Sequence, residues 1–246
     1  MQKGRRVHQL DTSLDASRRA SYEQLSFTAT VKVDAEGDFL YMLASAVLLE
    51  INPHHPEPRK ISRAVDILES GKLLAYPTDT VYGLGCDLLN KGALDRLYAA
   101  KNMPRTQSLA LICVDLSDIA RYVLLDNQAY RLLRRLLPGP YTFILPATRE
   151  VPKTIAPKRT QVGIRIPAHP VPRAIAQALG RPLISTTAGP HGGEPLQFPQ
   201  DIATSFREID LILDGGPGGI EPTTVIDLTQ NPPVIVRAGA GPIDVL

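Results

Sequence analysis

Three hydroxyl side chains and two glycines lie close together in the stretch LAYPTDTVYGLGC. The hydroxyls belong to Thr78, Thr80 and Tyr82, and their alternation would turn all three to one face of an extended chain. Gly83 and Gly85 allow another backbone or a ligand to approach closely. Hydroxyls both donate and accept hydrogen bonds, which suits phosphate oxygens or a small zwitterion. The stretch therefore indicates either a binding surface or the turn chemistry of a strand end.

Three cationic residues are further candidates for chemistry. Lys101 ends a helical pattern before Pro104, where its ammonium either contacts a phosphate or offsets the helix dipole. Arg237 follows the strand PVIV and precedes AGAG, so its planar guanidinium, with several N–H donors, lies next to a glycine-containing backbone that can adapt to a ligand. Arg165 lies among apolar residues in GIRIP, and we expect a structural ion pair there in preference to a ligand contact.

Composition restricts the class of protein. The chain has 246 residues, of which 43% are hydrophobic, enough for a sizeable core. Its net charge of +2 is compatible with an anionic ligand or RNA and argues for neither. The longest apolar run, YMLASAVLLEI, is shorter than the roughly 20 residues of a membrane span, so we expect a cytoplasmic protein with no membrane partner. Cys86 and Cys113 lack disulfide or metal-ligand spacing, which predicts buried thiols and no metal site.

The pattern of elements predicts one α/β domain. Residues 1–41 show no sustained apolar period, which predicts a poorly packed N-terminal extension, and Met42 is a candidate translation start. In residues 42–246 apolar strands alternate with helices, which predicts a twisted mixed β-sheet flanked by helices. Helices are expected in ISRAVDIL, after the capping residue Asn90, in NQAYRLLRRLL and in VPRAIAQAL. Strands are expected in KLLAYP, SLALICV, YTFILPA, VGIRIPA, PLIST, DLILDG, TTVIDL and PVIVRAG.

Several blocks occur together in the order and spacing of a known family. YPTDTVYGLG, PGPYTFIL, VGIRIP, LILDGG and TTVIDL followed by VRAGA resemble the YrdC-like family, the L-threonylcarbamoyladenylate synthases, from about Arg59 to Val245. RKISRAVDIL and LLDNQAYRLLRRLLPGPYTFIL are similar to its YciO-like branch. The resemblance implies a single domain with a large open cavity that joins L-threonine, bicarbonate and ATP, with Mg²⁺, into threonylcarbamoyl-AMP. This product serves the threonylcarbamoyladenosine modification of tRNA, and members also resemble double-stranded RNA binders.

The resemblance also implies roles for individual residues. Catalytic positions are matched by Lys101 and Thr187. Positions that contact the nucleotide are matched by Lys101, Thr142, Thr187 and Arg237. Positions that contact threonine are matched by Thr80, Ser185 and Thr223. The threonine carbamate attacks ATP directly in such a reaction, so these residues are expected to position the substrates and stabilise phosphate charge.

The chain departs from the family at several polar positions. Met103 replaces an arginine that would face the ATP phosphates, and Arg105, two residues later, is a hypothetical substitute. Ile112 stands where a histidine is common. Gly189 stands where an asparagine is usual, in a loop whose glycines could still cradle a phosphate. Each lost charge-assisted contact would weaken substrate binding by about 1.5–3 kcal/mol.

Three functions remain open from the sequence. The first is an ATP-dependent synthase of lowered activity, which the retained hydroxyls and cations favour. The second is a YciO-like module that binds nucleotide or double-stranded RNA with little or no synthesis. The third is hydrolysis of an acyl-adenylate-like ligand. On the helix NQAYRLLRRLL, Arg131, Arg134 and Arg135 form either a solvated face or a contact surface for RNA.

Overall fold

The elements of the chain come from a computed structural model that describes residues 30–34, 37–43, 46–107, 109–152, 155 and 161–246. Twelve strands form one sheet: β1 Thr30–Val33, β2 Phe39–Leu43, β3 Ala46–Glu50, β4 Leu74–Tyr76, β5 Gly83–Asp87, β6 Ala110–Ile112, β7 Tyr141–Pro146, β8 Gln161–Arg165, β9 Leu183–Thr187, β10 Leu211–Asp214, β11 Thr224–Asp227 and β12 Val234–Arg237. The described residues also form six helices: α1 Pro58–Glu69, α2 Lys91–Ala100, α3 Leu116–Tyr122, α4 Asn127–Leu136, α5 Pro170–Leu179 and α6 Pro199–Ser205.

The sheet is mixed and open. Its strand order is β1-β2-β3-β10-β4-β5-β9-β6-β8-β7-β11-β12. Neighbouring strands are parallel at β3–β10, β10–β4, β6–β8 and β7–β11, and the other neighbours are antiparallel. The predicted α/β domain with a mixed sheet flanked by helices is confirmed.

Helix ends follow local capping chemistry. The Asn90 side chain accepts a hydrogen bond from the N–H of Ala93 at 2.9 Å, which confirms the predicted start of α2. Asp126 caps α4 by accepting from two backbone N–H groups. Gly180 ends α5 with a φ of 70°, a left-handed conformation that favours glycine. No helix in the described part of the chain is long and apolar enough to cross a membrane.

Alternating side chains divide the core into two layers. In β4, Leu74 and Tyr76 pack with α1 and α5 on one face, while Ala75 joins the larger cluster on the other. That larger cluster includes buried residues of α2, α3, α4 and α6. The helices α1 and α5 pack against each other. Helix α1 contacts β4 and β5, and helix α5 contacts β6.

The sheet begins before the predicted domain boundary at residue 42. β1 pairs with β2 and β2 pairs with β3, and Leu40 and Tyr41 are both 8% exposed. The structure therefore corrects the boundary, because β1 and β2 form a three-stranded antiparallel unit with β3 at the edge of the sheet. The remainder of the predicted extension, residues 1–29, lies outside the described residues.

Candidate functional site

A cavity of about 480 Å³ lies over the half of the sheet with the strand order β5-β9-β6-β8-β7-β11-β12. Alternation along each strand decides which side chains reach it. In β7, Tyr141, Phe143 and Leu145 are buried in the core, while Thr142 and Ile144 face the cavity. Most of the predicted site residues line it, namely Thr142, Ser185, Thr187, Thr223 and Arg237. The structure thus brings together residues that are far apart in sequence.

Thr142, Thr223 and Arg237 form one hydrogen-bonded group in the cavity wall. The hydroxyl oxygens of Thr142 and Thr223 are 2.9 Å apart. Arg237 Nη2 donates to the Thr223 carbonyl at 2.8 Å and to the Thr223 hydroxyl at 3.1 Å, and Nε donates to the same carbonyl at 3.1 Å. The guanidinium therefore has a fixed orientation before any ligand binds.

The segment AGAG after Arg237 folds tightly over the start of β11. A Cβ atom at Gly239 would lie 2.2 Å from the Pro222 carbonyl oxygen, and one at Gly241 would lie 2.5 Å from the Tyr141 ring. The Gly239 N–H donates to the Thr224 hydroxyl at 3.0 Å. These contacts require glycine, because backbone and ring atoms occupy the space of a side chain. The tight packing keeps Arg237 at the cavity.

Arg165 forms a buried ion pair at the cavity wall. Its Nη2 donates to Asp79 Oδ1 at 2.5 Å, to the Thr80 hydroxyl at 2.9 Å and to the Thr78 hydroxyl at 3.3 Å. The expected structural ion pair is therefore confirmed, and it places Thr80 beside the cavity. Arg165 Nε and Asp79 Oδ2 are buried and have no hydrogen-bond partner among the residues that the structure describes. Since Arg165 also lines the cavity, an acceptor on a ligand would satisfy its Nε.

The chain from Thr78 to Tyr82 bends instead of staying extended. The Thr78 hydroxyl accepts from the N–H of Thr80 at 3.1 Å and donates to the Val81 carbonyl at 2.6 Å. This turn brings the hydroxyls of Thr78 and Thr80 to 3.2 Å from each other. Tyr82 instead enters the core, where its hydroxyl donates to a backbone carbonyl at 2.7 Å. The hydroxyls therefore do not share one face, as they would in an extended strand.

Tyr76 uses the space that the two glycines of β5 provide. Its ring lies against Gly83 and Gly85, where Cβ atoms would come within 2.9 and 3.0 Å of ring carbons. The Tyr76 hydroxyl donates to Ser185 Oγ at 2.6 Å. Burial raises the pKa of Tyr76 to about 12, so the phenol remains protonated. The glycines make room for this ring, which holds Ser185 in the cavity wall.

The cavity carries positive charge, and none of the described residues that line it has a carboxylate. Burial lowers the pKa of Arg165 and of Arg237. The charge of Arg165 lowers the pKa of Arg237 further, while Asp79 opposes the effect of burial on Arg165. Two neighbouring guanidiniums that are partly removed from water are stabilised by an anion. The arrangement therefore favours an anionic ligand with several hydrogen-bond acceptors.

Lys101 lies beside the cavity, but its ammonium contacts the protein backbone. The residue is 6% exposed. Its Nζ donates to the Thr187 carbonyl at 2.7 Å and to the Gly189 carbonyl at 2.5 Å. Burial lowers the pKa of Lys101 to about 8. Lys101 is not among the residues that line the cavity, and its expected contact with a phosphate stays a prediction.

The residues next to Lys101 in sequence contribute no charge to the cavity lining. Met103 is buried in the hydrophobic core. Arg105 pairs with Asp95 and lies over the Tyr98 ring, 5.2 Å from the ring centre. The suggested replacement of the missing arginine by Arg105 has no support in this arrangement. His191 is exposed in its loop.

The apolar part of the cavity wall was not predicted from the sequence. Ile144 and Val225 lie two residues after Thr142 and Thr223 respectively, so strand alternation could have identified them. Asp79 was also missed as the partner of Arg165. Nothing local signals that pairing, because the two residues are 86 positions apart.

Comparison with known proteins identifies the family. The Sua5/YciO/YrdC family model, described as "Telomere recombination", matches residues 66–239. The protein named "Uncharacterized protein YciO" from Escherichia coli strain K12 is 41% identical over 196 residues, which covers 78% of this chain and 95% of that protein. The crystal structure of E. coli YciO has a TM-score of 0.78 to this chain at 39% identity, covering 81% of this chain and 98% of the other.

Proteins with a named activity are also similar to this chain. A threonylcarbamoyl-AMP synthase from Halorhodospira halophila is 35% identical over 178 residues, covering 71% of this chain and 93% of the synthase. The crystal structure of P. abyssi Sua5 complexed with L-threonine has a TM-score of 0.76 at 31% identity, covering 81% of this chain and 59% of that one. The chain belongs to the Sua5/YciO/YrdC family, which confirms the predicted membership.

Proposed function

We propose that the protein is an ATP-dependent L-threonylcarbamoyladenylate synthase whose product serves the threonylcarbamoyl modification of tRNA. The observation that carries the proposal is the cavity, where Arg165 and Arg237 lie with a set of hydroxyls and with no carboxylate from the described residues. Relatives named threonylcarbamoyl-AMP synthase and the Sua5 structure complexed with L-threonine support the substrate class. L-threonine, bicarbonate and ATP are the proposed substrates.

The threonine end of the site is proposed at Thr80, Ser185 and Thr223. The hydroxyl of Ser185 is oriented by Tyr76, and that of Thr80 lies against the Arg165 guanidinium. Because Arg165 Nε has no partner in the described part of the chain, the threonine carboxylate would gain a charged donor there. Hydroxyls can accept from the amine and donate to the carboxylate of the same zwitterion.

The nucleotide end is proposed at Thr142, Thr187 and Arg237. Arg237 keeps its guanidinium in the cavity wall by bonding to Thr223. The contact between the Thr142 and Thr223 hydroxyls joins the nucleotide set to the threonine set. This junction supports a reaction in which the two substrates meet in a single cavity, where the protein contributes mainly proximity and orientation.

The proposed chemistry needs no covalent enzyme intermediate. The threonine amine attacks the carbon of bicarbonate, and loss of water leaves an N-carboxylate. A carbamate oxygen then attacks the α-phosphorus of ATP, the bond to the bridging oxygen breaks, and pyrophosphate leaves. Negative charge at the α-phosphate would be stabilised by preorganised donors, and Arg237, which lines the cavity, is the side chain proposed for this role.

Mg²⁺ is expected from the resemblance, but the described residues offer no dedicated site for it in the cavity. A protein-bound Mg²⁺ usually has one or two carboxylate ligands, and the cavity lining within the described ranges contains none. The residues therefore do not fit a resident magnesium ion. ATP would bring any Mg²⁺ with its own phosphates.

The direct test is a synthesis assay with purified protein, labelled L-threonine, bicarbonate, Mg²⁺ and ATP. Synthase activity predicts equal amounts of pyrophosphate and threonylcarbamoyl-AMP, and both should disappear without bicarbonate. Arg237→Gln should lower product formation about 10–100-fold, because a charge-assisted contact to a phosphate is lost. Arg121→Gln is the matched control, since Arg121 is exposed on α3 and lies outside the cavity lining. Failure of the wild-type protein to form any adenylate would overturn the proposal.

RNA binding is the second candidate function. Arg131, Arg134 and Arg135 are exposed on α4, and a second cavity of about 810 Å³ adjoins Arg131 and Arg135. If these arginines contact phosphates, the affinity for double-stranded RNA should fall steeply with salt, and a variant with all three replaced by glutamine should have a shallower slope. Binding that does not change with salt would exclude this surface.

A further inference from the structure

Lys101 contacts the end of β9 and the loop that follows it, and does not line the cavity. The ammonium is buried at the end of α2 and lies between two backbone carbonyls, those of Thr187 and Gly189. These carbonyls belong to the last residue of β9 and to the loop that follows it, on either side of Ala188. A buried charge requires polar partners, and here both partners come from the backbone.

The loop that Lys101 holds is tightly folded. The Ala188 N–H donates to the Tyr82 carbonyl at 2.8 Å, and the Leu196 N–H donates to the Ala188 carbonyl at 2.7 Å. A Cβ atom at Gly189 would lie 2.5 Å from the Glu194 carbonyl oxygen, so the loop doubles back on itself. Lys101 supplies the bond from α2 that fastens this folded loop to the end of β9.

The same bond reaches the cavity through Thr187. The Thr187 carbonyl accepts from Lys101, and the Thr187 residue lines the cavity. Ser185 lies two residues earlier on the same strand and also lines it. A shift of the β9 end would therefore displace hydroxyls that the proposed substrates need.

We propose that Lys101 is a positioning residue that fastens the loop 188–196 to the end of β9 and thereby orients Thr187 in the cavity. It acts through the backbone and not as a ligand of a phosphate group. Two of the three ammonium donors bond to backbone carbonyls at 2.7 and 2.5 Å, and Lys101 is not among the residues that line the cavity. The local effect on the loop is independent of the proposed function, whereas the effect on ATP binding rests on it.

The first test is hydrogen exchange in the protein without ligand. Lys101→Met keeps a side chain of similar length but removes the donors, so the amides of Ala188 and Leu196 should exchange at least about tenfold faster. Amides of β10 should be unchanged. Lys101→Arg keeps charge and donors and should restore part of the protection. Lys91→Met, at the exposed start of the same helix, should exchange like the wild type.

Unchanged protection of Ala188 and Leu196 in Lys101→Met would overturn the proposal. A uniform rise across the whole sheet would overturn it as well, because it would indicate a global loss of stability and not a local fastening. If Lys101→Met does not fold, Lys101→Gln is measured in the same way. Its amide is shorter and uncharged, so it can replace only part of the hydrogen bonding to the Thr187 and Gly189 carbonyls.

The second test asks whether Lys101 acts through Thr187. ATP affinity is measured for Lys101→Met, Thr187→Val and the double variant. If Lys101 positions Thr187, the double variant should bind ATP less than about threefold more weakly than Thr187→Val alone. A full, independent loss in the double variant would indicate a direct phosphate contact and contradict the proposal. If even the wild type fails to bind ATP, the proposed function fails, while the exchange experiment still decides the role of Lys101.

Discussion

Replacing Arg165 by methionine should destabilise the protein strongly, because it leaves the Asp79 carboxylate buried without its counter-charge. The two side chains are only 9% and 11% exposed. Removing one partner of a buried pair costs about 3–5 kcal/mol, and the hydroxyls of Thr78 and Thr80 lose a donor as well. We expect the free energy of unfolding to fall by about 3–5 kcal/mol.

Urea unfolding followed by tyrosine fluorescence measures this change, since the chain has eight tyrosines and no tryptophan. The double variant Asp79→Asn with Arg165→Met should recover part of the loss, by about 1–3 kcal/mol, because no buried charge remains unpaired. Arg121→Met is the control, since Arg121 is 60% exposed and its contact with Asp118 is 3.8 Å long. It should stay within about 0.5 kcal/mol of wild type. A loss below about 1 kcal/mol in Arg165→Met would refute the reasoning that the pair is buried and mutually dependent.

Three further predictions follow from the same structure. Gly85→Ala should cost about 1–3 kcal/mol in the urea assay, because its Cβ would lie 2.8 Å from a carbonyl oxygen of β9. In contrast, Gly92→Ala lies in α2 and meets only a side-chain oxygen at 3.4 Å, so it should leave stability unchanged or raise it by up to about 1 kcal/mol. Arg237→Gln should weaken ATP binding about 10–100-fold by calorimetry, and an unchanged affinity would remove Arg237 from the proposed nucleotide site. Burial lowers the pKa of Lys101 to about 8 from its ordinary value of 10.5, so between pH 8 and pH 10.5 the unfolded chain binds more protons than the folded protein. As the pH rises through this range, the free energy of unfolding of the wild type should therefore rise relative to that of Lys101→Met. A difference between the two proteins that does not change from pH 7 to pH 10 would contradict the lowered pKa.

Much of the fold could be predicted because its signals are local. The cap at Asn90 and the strands YTFIL and GIRIP follow from capping and hydrophobic pattern. β5 was missed, because its sequence GLGCD has weak strand propensity and becomes a strand by pairing with β4 and β9 on either side. The short helices α3 and α6 and the strands β1, β2 and β3 were also missed. Their stability depends on packing against the rest of the sheet more than on their own sequence.

The candidate site also has a part that could be predicted from the sequence and a part that depends on tertiary packing. The resemblance of the sequence to the family implied site roles for a set of residues that line one cavity, namely Thr142, Ser185, Thr187, Thr223 and Arg237. Each of these residues lies in a strand or next to one, where the backbone pattern sets the face of the side chain.

Only the tertiary structure decided which groups those residues meet. It placed Asp79 against Arg165, turned Tyr82 into the core and set the Lys101 ammonium on two carbonyls instead of in the cavity lining. The hydrogen bonds within a helix join residues close together in sequence, so the hydrophobic periodicity of the sequence can predict where helices form. An ion pair or a lysine–carbonyl contact joins residues more than 80 positions apart, and it exists only after packing has brought both segments together and removed the charge from water.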